Sequence, residues 1–340
     1  MYRVKEAYRK EQRSKRLKLF ATPYSLRESL GIVRRNITGV DAVRNEAGIE
    51  CIPQSVSLKK DCSSLLRVGF VGDIMELSTR YLTIGECLHA YLSECDFLVG
   101  NFEATIHTQK KRHGTILGTP QIQAERIIDD LAAIFPPERF YLSLANNHSG
   151  DYEKSVFDKS CKLLIDRGFP LFGMNDAPFV DPHPAVRIVT GTMWSNQNAD
   201  DILWLHAPEE ASSYTRSGAV NILYPHWGYE LEAYPRRFIV DMAQQYARKY
   251  DAIIGHHAHN PQPVSLINQV PIAFGLGDFC YHYDLPTYKY GLVARVEIAR
   301  SSKHDHSTKS FDWQMIEAHH DGQEIHVDIQ QALPSWLCTS

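Results

Sequence analysis

The sequence predicts an α/β protein, and three features carry that prediction. Short apolar runs rich in β-branched residues alternate with segments of helical spacing. Most of the runs end in glycine or polar turns. Residues able to bind metals recur at those ends: Asp73, Glu103, Asn147 with His148, His226, and His256 with His259. At 340 residues, 44% hydrophobic and 22% charged, the chain suits one large soluble domain with extensions.

The elements follow in order. Residues 1–65 read as an N-terminal extension, basic and partly helical, with a helix expected in Arg3–Leu19 and an apolar segment at Tyr24–Val33. At residue 66 the texture changes, and Arg67–Asp73 reads as a strand entering a Gly-Asp turn. Leu82–Glu94 has helical spacing, Asp96–Asn101 is a second strand, and Gln123–Phe135 an amphipathic helix. Arg139–Ala145 is a strand that runs into Asn146-Asn-His-Ser-Gly-Asp151. Tyr152–Arg167 is a helix closed by Gly168, a residue suited to a C-terminal cap. Pro170–Gly173 reads as a strand, and Ala185–Gly191 opens a β-rich section. Asn221–His226 is a strand ending on histidine, and Arg236–Lys249 is a helix. Asp251–His259 is a buried strand that stops at Gly255 and then presents three imidazoles within four residues. Pro271–Asp278 and the strand Leu292–Ala299 complete a main domain of residues 66–300. Ser301–Ser310 reads as a polar loop opening a C-terminal appendage, residues 301–340.

Composition narrows the classes. A net charge of −4 gives no general case for nucleic acid as a partner. Seven scattered cysteines, none in a CxxC pair, suit reduced thiols and a cytoplasmic setting. The N-terminus lacks the apolar core of a signal peptide, and no stretch approaches the roughly 20 apolar residues of a membrane span. Residues 1–20 carry eight Lys/Arg against two Glu, which reads as a solvated basic helix or as a surface for an acidic partner.

Carboxylates, imidazoles and one amide oxygen form a ligand set for one or two divalent ions: Mn, Fe or Zn. Two such ions about 3.5–4 Å apart can stabilise both the attacking and leaving oxygens of a phosphoryl displacement.

Gly72-Asp-Ile-Met75, Asn101-Phe-Glu103, Ala145-Asn-Asn-His-Ser-Gly-Asp151, His226-Trp-Gly-Tyr-Glu230, Gly255-His-His-Ala-His259 with Gln262-Pro263, and Gly275-Leu-Gly-Asp-Phe279 occur in one order and spacing. In that order the chain resembles the CapA/PgsA poly-γ-glutamate capsule-synthesis family of the calcineurin-like metallophosphoesterase superfamily, over about residues 66–300. The resemblance implies a four-layer α/β/β/α sandwich with metals at one edge of the two sheets. By the superfamily pattern, Asp73 and His259 resemble ligands of a first metal and Glu103 a bridging carboxylate. Asn147, His226 and His256 resemble ligands of a second. His148 resembles the acid that protonates the leaving oxygen, with Asp151 close enough to orient it. His257 is expected to be a neighbour of the ligands.

The chain departs from the pattern twice. Met75 stands where the wider superfamily has a ligating histidine, so one metal or two both fit. Asp278 stands where the branch has asparagine, and it either replaces the missing ligand or binds the loop. Glu230 is a candidate partner for a ligating imidazole. Arg80, Arg236 and Arg237 are candidates for holding phosphate or carboxylate oxygens. Trp227 and Tyr229 are candidate pocket walls.

The reading is a hydrolase of a phosphate ester or related anionic bond, small or polymeric, in which metal-bound hydroxide attacks and His148 is the acid. The alternative is a non-catalytic component of poly-γ-glutamate or other polymer synthesis and export.

Overall fold

The computed structural model describes residues 22–41, 45, 47–59, 63–107, 120–197, 199–300, 305–332 and 337. The basic residues 1–20, with the helix expected there, lie outside these.

Two sheets face one another. The larger has ten strands, in the order Tyr81–Ile84, Glu324–Ile329, His306–Asp321, Tyr290–Arg300, Ser64–Ile74, Phe97–Phe102, Phe140–Ser143, Leu171–Phe172. Ser55–Ser57 and Asp278–Cys280 pair beside it. The smaller has six, in the order Val264–Ile267, Val270–Ala273, Ala252–Ile254, Val220–His226, Val186–Thr192, Phe179–His183.

The two-residue period of a strand decides which side chains fill which layer. Val68 and Phe70 meet Ile222, Tyr224 and Ile254 between the sheets. Val71, the next residue, faces outward into a core shared with Leu88, Leu131 and Leu164 of the helices Glu86–Ser93, Ile127–Ile134 and Lys154–Arg167. Leu223 and Ile253 face the other way, against Ile239, Val240 and Ala243 of the helix Arg237–Tyr246. The result is helix, sheet, sheet, helix: the expected four-layer α/β/β/α sandwich.

Ser64–Ile74, Phe97–Phe102 and Phe140–Ser143 run parallel to one another. Val186–Thr192, Val220–His226 and Ala252–Ile254 do the same in the second sheet. Residues at the ends of those strands therefore collect at their C-terminal mouths. Gly72 permits one essential close approach: a Cβ there would lie 1.8 Å from the Gly277 carbonyl oxygen. That approach lets Asp73 N–H donate to Gly277 O at 3.0 Å and sets Asp278 in register with Asp73.

Several expectations are corrected. The helical spacing of 82–94 conceals the edge strand Tyr81–Ile84, and the helix starts only after Gly85. The helix expected over 123–135 begins at Ile127, after a short strand Ile122–Gln123. Phe179–His183 and Val264–Ile267 are further strands. The Tyr24–Val33 segment becomes the helix Leu26–Thr38. The polar stretch read as a loop over 301–310 holds, from His306, the start of a 16-residue strand. Its first five residues, His306–Ser310, are all polar and only Thr308 among them is buried, so apolar alternation emerges only from Phe311 on. Helix Lys154–Arg167 ends at Gly168 in the left-handed region (φ 106°), as its sequence predicts.

Cys87, Cys95, Cys161 and Cys280 are free thiols, but Cys51 is disulfide-bonded, correcting the all-thiol reading. Pairing depends on Cα separations that spacing does not reveal. Among the described residues no helix is long and apolar enough to cross a membrane.

Gly72→Ala is expected to lower stability by about 1–3 kcal/mol, the usual cost of overpacking. Urea unfolding should show a lower midpoint with an unchanged m-value.

Candidate metal centre

The mouth of the sandwich gathers side chains from both sheets. Asp73 ends the central strand of the large sheet and is fully buried. Its Oδ1 accepts from Asn101 Nδ2 at 2.8 Å and lies 3.0 Å from His256 Nδ1; its Oδ2 accepts the His257 N–H at 2.9 Å. Asn101 Nδ2 also donates to Glu103 Oε2 at 2.8 Å, so one amide aligns both carboxylates. Asn147 Oδ1 lies 2.8 Å from His226 Nε2, and His226 Nδ1 lies 3.0 Å from His256 Nδ1. His259 Nδ1 lies 2.8 Å from Asp278 Oδ1 and 3.6 Å from Asp73 Oδ2.

His148 sits on the turn after the third parallel strand of the large sheet. Asn146 shapes that turn, its Oδ1 accepting the His148 N–H at 3.1 Å and the Ser149 hydroxyl at 3.0 Å. His148 Nδ1 lies 2.5 Å from Asp151 Oδ2, which also accepts the Gln121 N–H at 2.9 Å. The opposite ring nitrogen, Nε2, lies 4.0 Å from Glu103 Oε1.

In each of four groups the potential ligand atoms lie within 4.8 Å of one another: Asp73–His226–His256, Glu103–His226–His257, Glu230–His257–His259 and Asp73–His259–Asp278. Four buried atoms in them have no hydrogen-bond partner: Glu103 Oε1, His256 Nε2, His257 Nδ1 and Asp278 Oδ2. Carboxylate oxygens and imidazole nitrogens left open in this way fit a divalent cation. His257 and His259 hold positive φ, 96° and 57°. Non-glycine residues in such backbone are concentrated at functional sites.

Electrostatics point the same way. Burial pushes Glu103 well above the carboxylate range, and the adjacent Asp73 charge adds to it. Burial also raises Asp73, but the bond to His256 and the positive imidazoles overcome it and hold Asp73 low. Asp278 is pushed up to about 7 by burial, against the pull of His259. Burial lowers His259, yet Asp278 outweighs it and raises the ring to about 9. Burial and neighbouring imidazoles drive His226 and His257 well below the usual histidine range. Those two rings are kept neutral, the state that ligates.

The expected residues Asp73, Glu103, Asn147, His148, Asp151, His226, His256, His259, Asp278 and Glu230 thus share one locality. His257, expected as a neighbour of the ligands, stands inside two of the groups. The arginines do not join. Arg80 donates to the carbonyls of His282 and Gly322, Arg236 pairs with Glu28 and Glu232, and Arg237 pairs with Asp241 on the surface. Trp227 is core, its Nε1–H donating to Phe274 O. Tyr229 packs against Trp194. Sequence reasoning missed Asn101 as the aligning amide, although the Asn-Phe-Glu motif contains it. It also missed Asn196, whose Oδ1 accepts from Asn147 Nδ2 at 3.2 Å, and which no pattern marks.

Residues 67–192 and 195–283 match the family described as bacterial capsule synthesis protein PGA_cap. The PGA biosynthesis protein CapA of Bacillus subtilis (strain 168) is 23% identical over 264 residues, 67% of this chain. The match spans 66% of that relative, just under two thirds of its length. A hypothetical protein from Thermus thermophilus aligns at 12% identity and a TM-score of 0.43, over 74% of this chain and 98% of that one. The calcineurin-like phosphoesterase YfkN from Bacillus subtilis aligns at 13% and 0.40, over 74% and 90%.

Saturating Mn²⁺ is expected to raise the melting temperature, since a ligand at 100 times its Kd adds about 2.7 kcal/mol. Chelation should reverse the rise, and Asp73→Asn should abolish it. Scanning calorimetry with and without metal checks both.

Proposed function

The chain belongs to the bacterial capsule synthesis protein family PGA_cap, and from that premise we propose that it is a metal-dependent hydrolase of a phosphate ester or related anionic bond. The observation that carries the reading is the His148–Asp151 pair, 2.5 Å apart, beside the open Glu103 Oε1. A scaffold that only binds a polymer has no need of an oriented imidazole next to unpartnered ligand atoms.

Asp73, His259 and Asp278 would hold one cation, and Glu103, Asn147, His226 and His257 a second, with His256 between the groups. A bound Mn, Fe or Zn ion would supply Lewis acidity and neutralise substrate charge. The remaining work belongs to the chain. Asp151 accepts from His148 Nδ1–H and fixes the tautomer and orientation of the ring. In the imidazolium form, Nε2 is thereby the atom that carries the proton delivered to the leaving oxygen, and the neutral ring keeps its proton on Nδ1. Gln121 N–H anchors Asp151, and Asn101 keeps Asp73 and Glu103 in register. Burial of the whole group limits competing water and strengthens each charge interaction.

The substrate is anionic, small or polymeric. A second reading, a non-catalytic part in polymer synthesis, draws support from the capsule-synthesis description of the family and the name of the CapA relative. The Cys51 disulfide favours an oxidising compartment over a reducing cytoplasm.

With Mn²⁺, Fe²⁺ or Zn²⁺, turnover is expected on a phosphomonoester, phosphodiester or γ-glutamyl substrate. His148→Ala should lower kcat by about 10²–10⁴-fold, the usual worth of a general acid, with metal content unchanged. Absence of turnover on all three classes by metal-loaded protein would leave only the second reading.

A further inference from the structure

Tyr24 lies well before the family-matched residues, yet it reaches the metal-binding cleft. The helix Leu26–Thr38 that follows it is tied to the main domain along its length. Glu28 pairs with Arg236 at 2.6 Å and Arg35 with Glu232 at 3.4 Å, while the Tyr288 hydroxyl donates to Asn36 Oδ1 at 2.6 Å. Ser25 caps the first turn by accepting from Glu28 N–H. Held by these ties, the Tyr24 ring packs 4.8 Å from Trp194 and 5.9 Å from Tyr229, centroid to centroid, and closes that side of the cleft.

The phenol oxygen lies 2.5 Å from His257 Nε2. Were the phenol the donor in that contact, the ring's one proton would sit on Nδ1 as a buried N–H with no acceptor, a costly arrangement. The phenol oxygen is therefore the acceptor, and the donor facing it is Nε2–H of His257. A neutral imidazole carries a single N–H, so the other nitrogen keeps a free lone pair. That nitrogen, Nδ1, is buried and has no hydrogen-bond partner. The same ring is grouped with Glu103 and His226, and with Glu230 and His259.

We propose that Tyr24 is a positioning residue of the metal centre, holding His257 in the tautomer whose Nδ1 lone pair is free for a divalent cation shared with Glu103 and His226. The proposal rests on the metal-centre reading above but does not depend on hydrolysis. The residue that sets the ligand comes from a segment that precedes the family match over residues 67–192 and 195–283. Outer partners of ligating histidines typically alter metal affinity by about 10–100-fold.

Co²⁺ titration of the full chain, followed by calorimetry and visible absorption, provides the test. Tyr24→Phe keeps the ring and its packing and removes only the hydroxyl. The expected result is Co²⁺ affinity lowered by about 10–100-fold, with a changed ligand-field spectrum and an unchanged near-UV circular dichroism spectrum. Wild-type and variant protein that match in affinity and spectrum would overturn the role of Tyr24 and leave the metal centre standing. Wild-type protein that binds none of Co²⁺, Mn²⁺ and Zn²⁺ would remove both. Should the variant fail to fold, ¹⁵N resonances of the His257 ring in wild-type protein decide the matter. A proton on Nε2 is expected, and a proton on Nδ1 contradicts the proposal.

Discussion

Asp73, Glu103, Asp151 and Asp278 are buried together at one end of the sandwich, and that concentration of like charge constrains everything around it. An isolated carboxylate removed from water is costly enough that it takes up a proton or acquires a positive partner. The protein uses both remedies. Glu103 is driven toward its protonated form, while Asp73 is kept ionised by His256 and His259. Five buried histidines, His148, His226, His256, His257 and His259, cannot all be cations in such a space. Burial holds His226 and His257 neutral. Divalent cations would replace the protons on the acids and use the neutral nitrogens, satisfying both sets of groups at once.

The fold is what makes this crowding possible. Each half of the cluster comes from a different sheet, and the two halves meet because Phe70, Tyr224 and Ile254 lock the sheets face to face. The Tyr224 hydroxyl adds a polar stitch, donating to the Val71 carbonyl across the gap at 2.6 Å. At the mouth, glycines remove the side chains that would hold the loops apart. Gly72 admits the Gly277 carbonyl, and a Cβ on Gly255 would lie 2.2 Å from Phe274 O. The strained backbone of His257 and His259 is tolerated within this frame, their imidazoles being placed by surrounding packing.

Much of the fold and site was legible in the sequence because both follow short-range rules. Strand ends are marked by glycine and polar residues, and parallel strands carry those ends to one edge. Asp73, Glu103, Asn147, His226 and His256 could therefore be named before any coordinates. Other features depend on partners distant in the chain. Arg80 and Arg236 looked available for an anion because sequence does not show the carbonyls and carboxylates that occupy them. His257 reads in the sequence as a neighbour of the ligands, and sequence does not show that its ring, on backbone of positive φ, stands inside two of the ligand groups. Asp278 is a neighbour of Asp73 only through the Gly72–Gly277 approach. Tyr24 belongs to a segment whose docking rests on ion pairs across some two hundred positions of the chain, such as Glu28 with Arg236. The strand Tyr81–Ile84 was masked by helical periodicity that runs past Gly85, and the Cys51 disulfide by the absence of any regular cysteine spacing.

The central claim is that the open carboxylate and imidazole atoms at the sandwich mouth are metal ligands. The most direct measurement is an anomalous-difference map from crystals grown with Mn²⁺, recorded on either side of the manganese edge. One or two peaks are expected among Asp73, Glu103, His226, His257 and His259, at roughly the 2.0–2.2 Å typical of oxygen and nitrogen ligands. A map without a peak there, at saturating metal, would contradict the account.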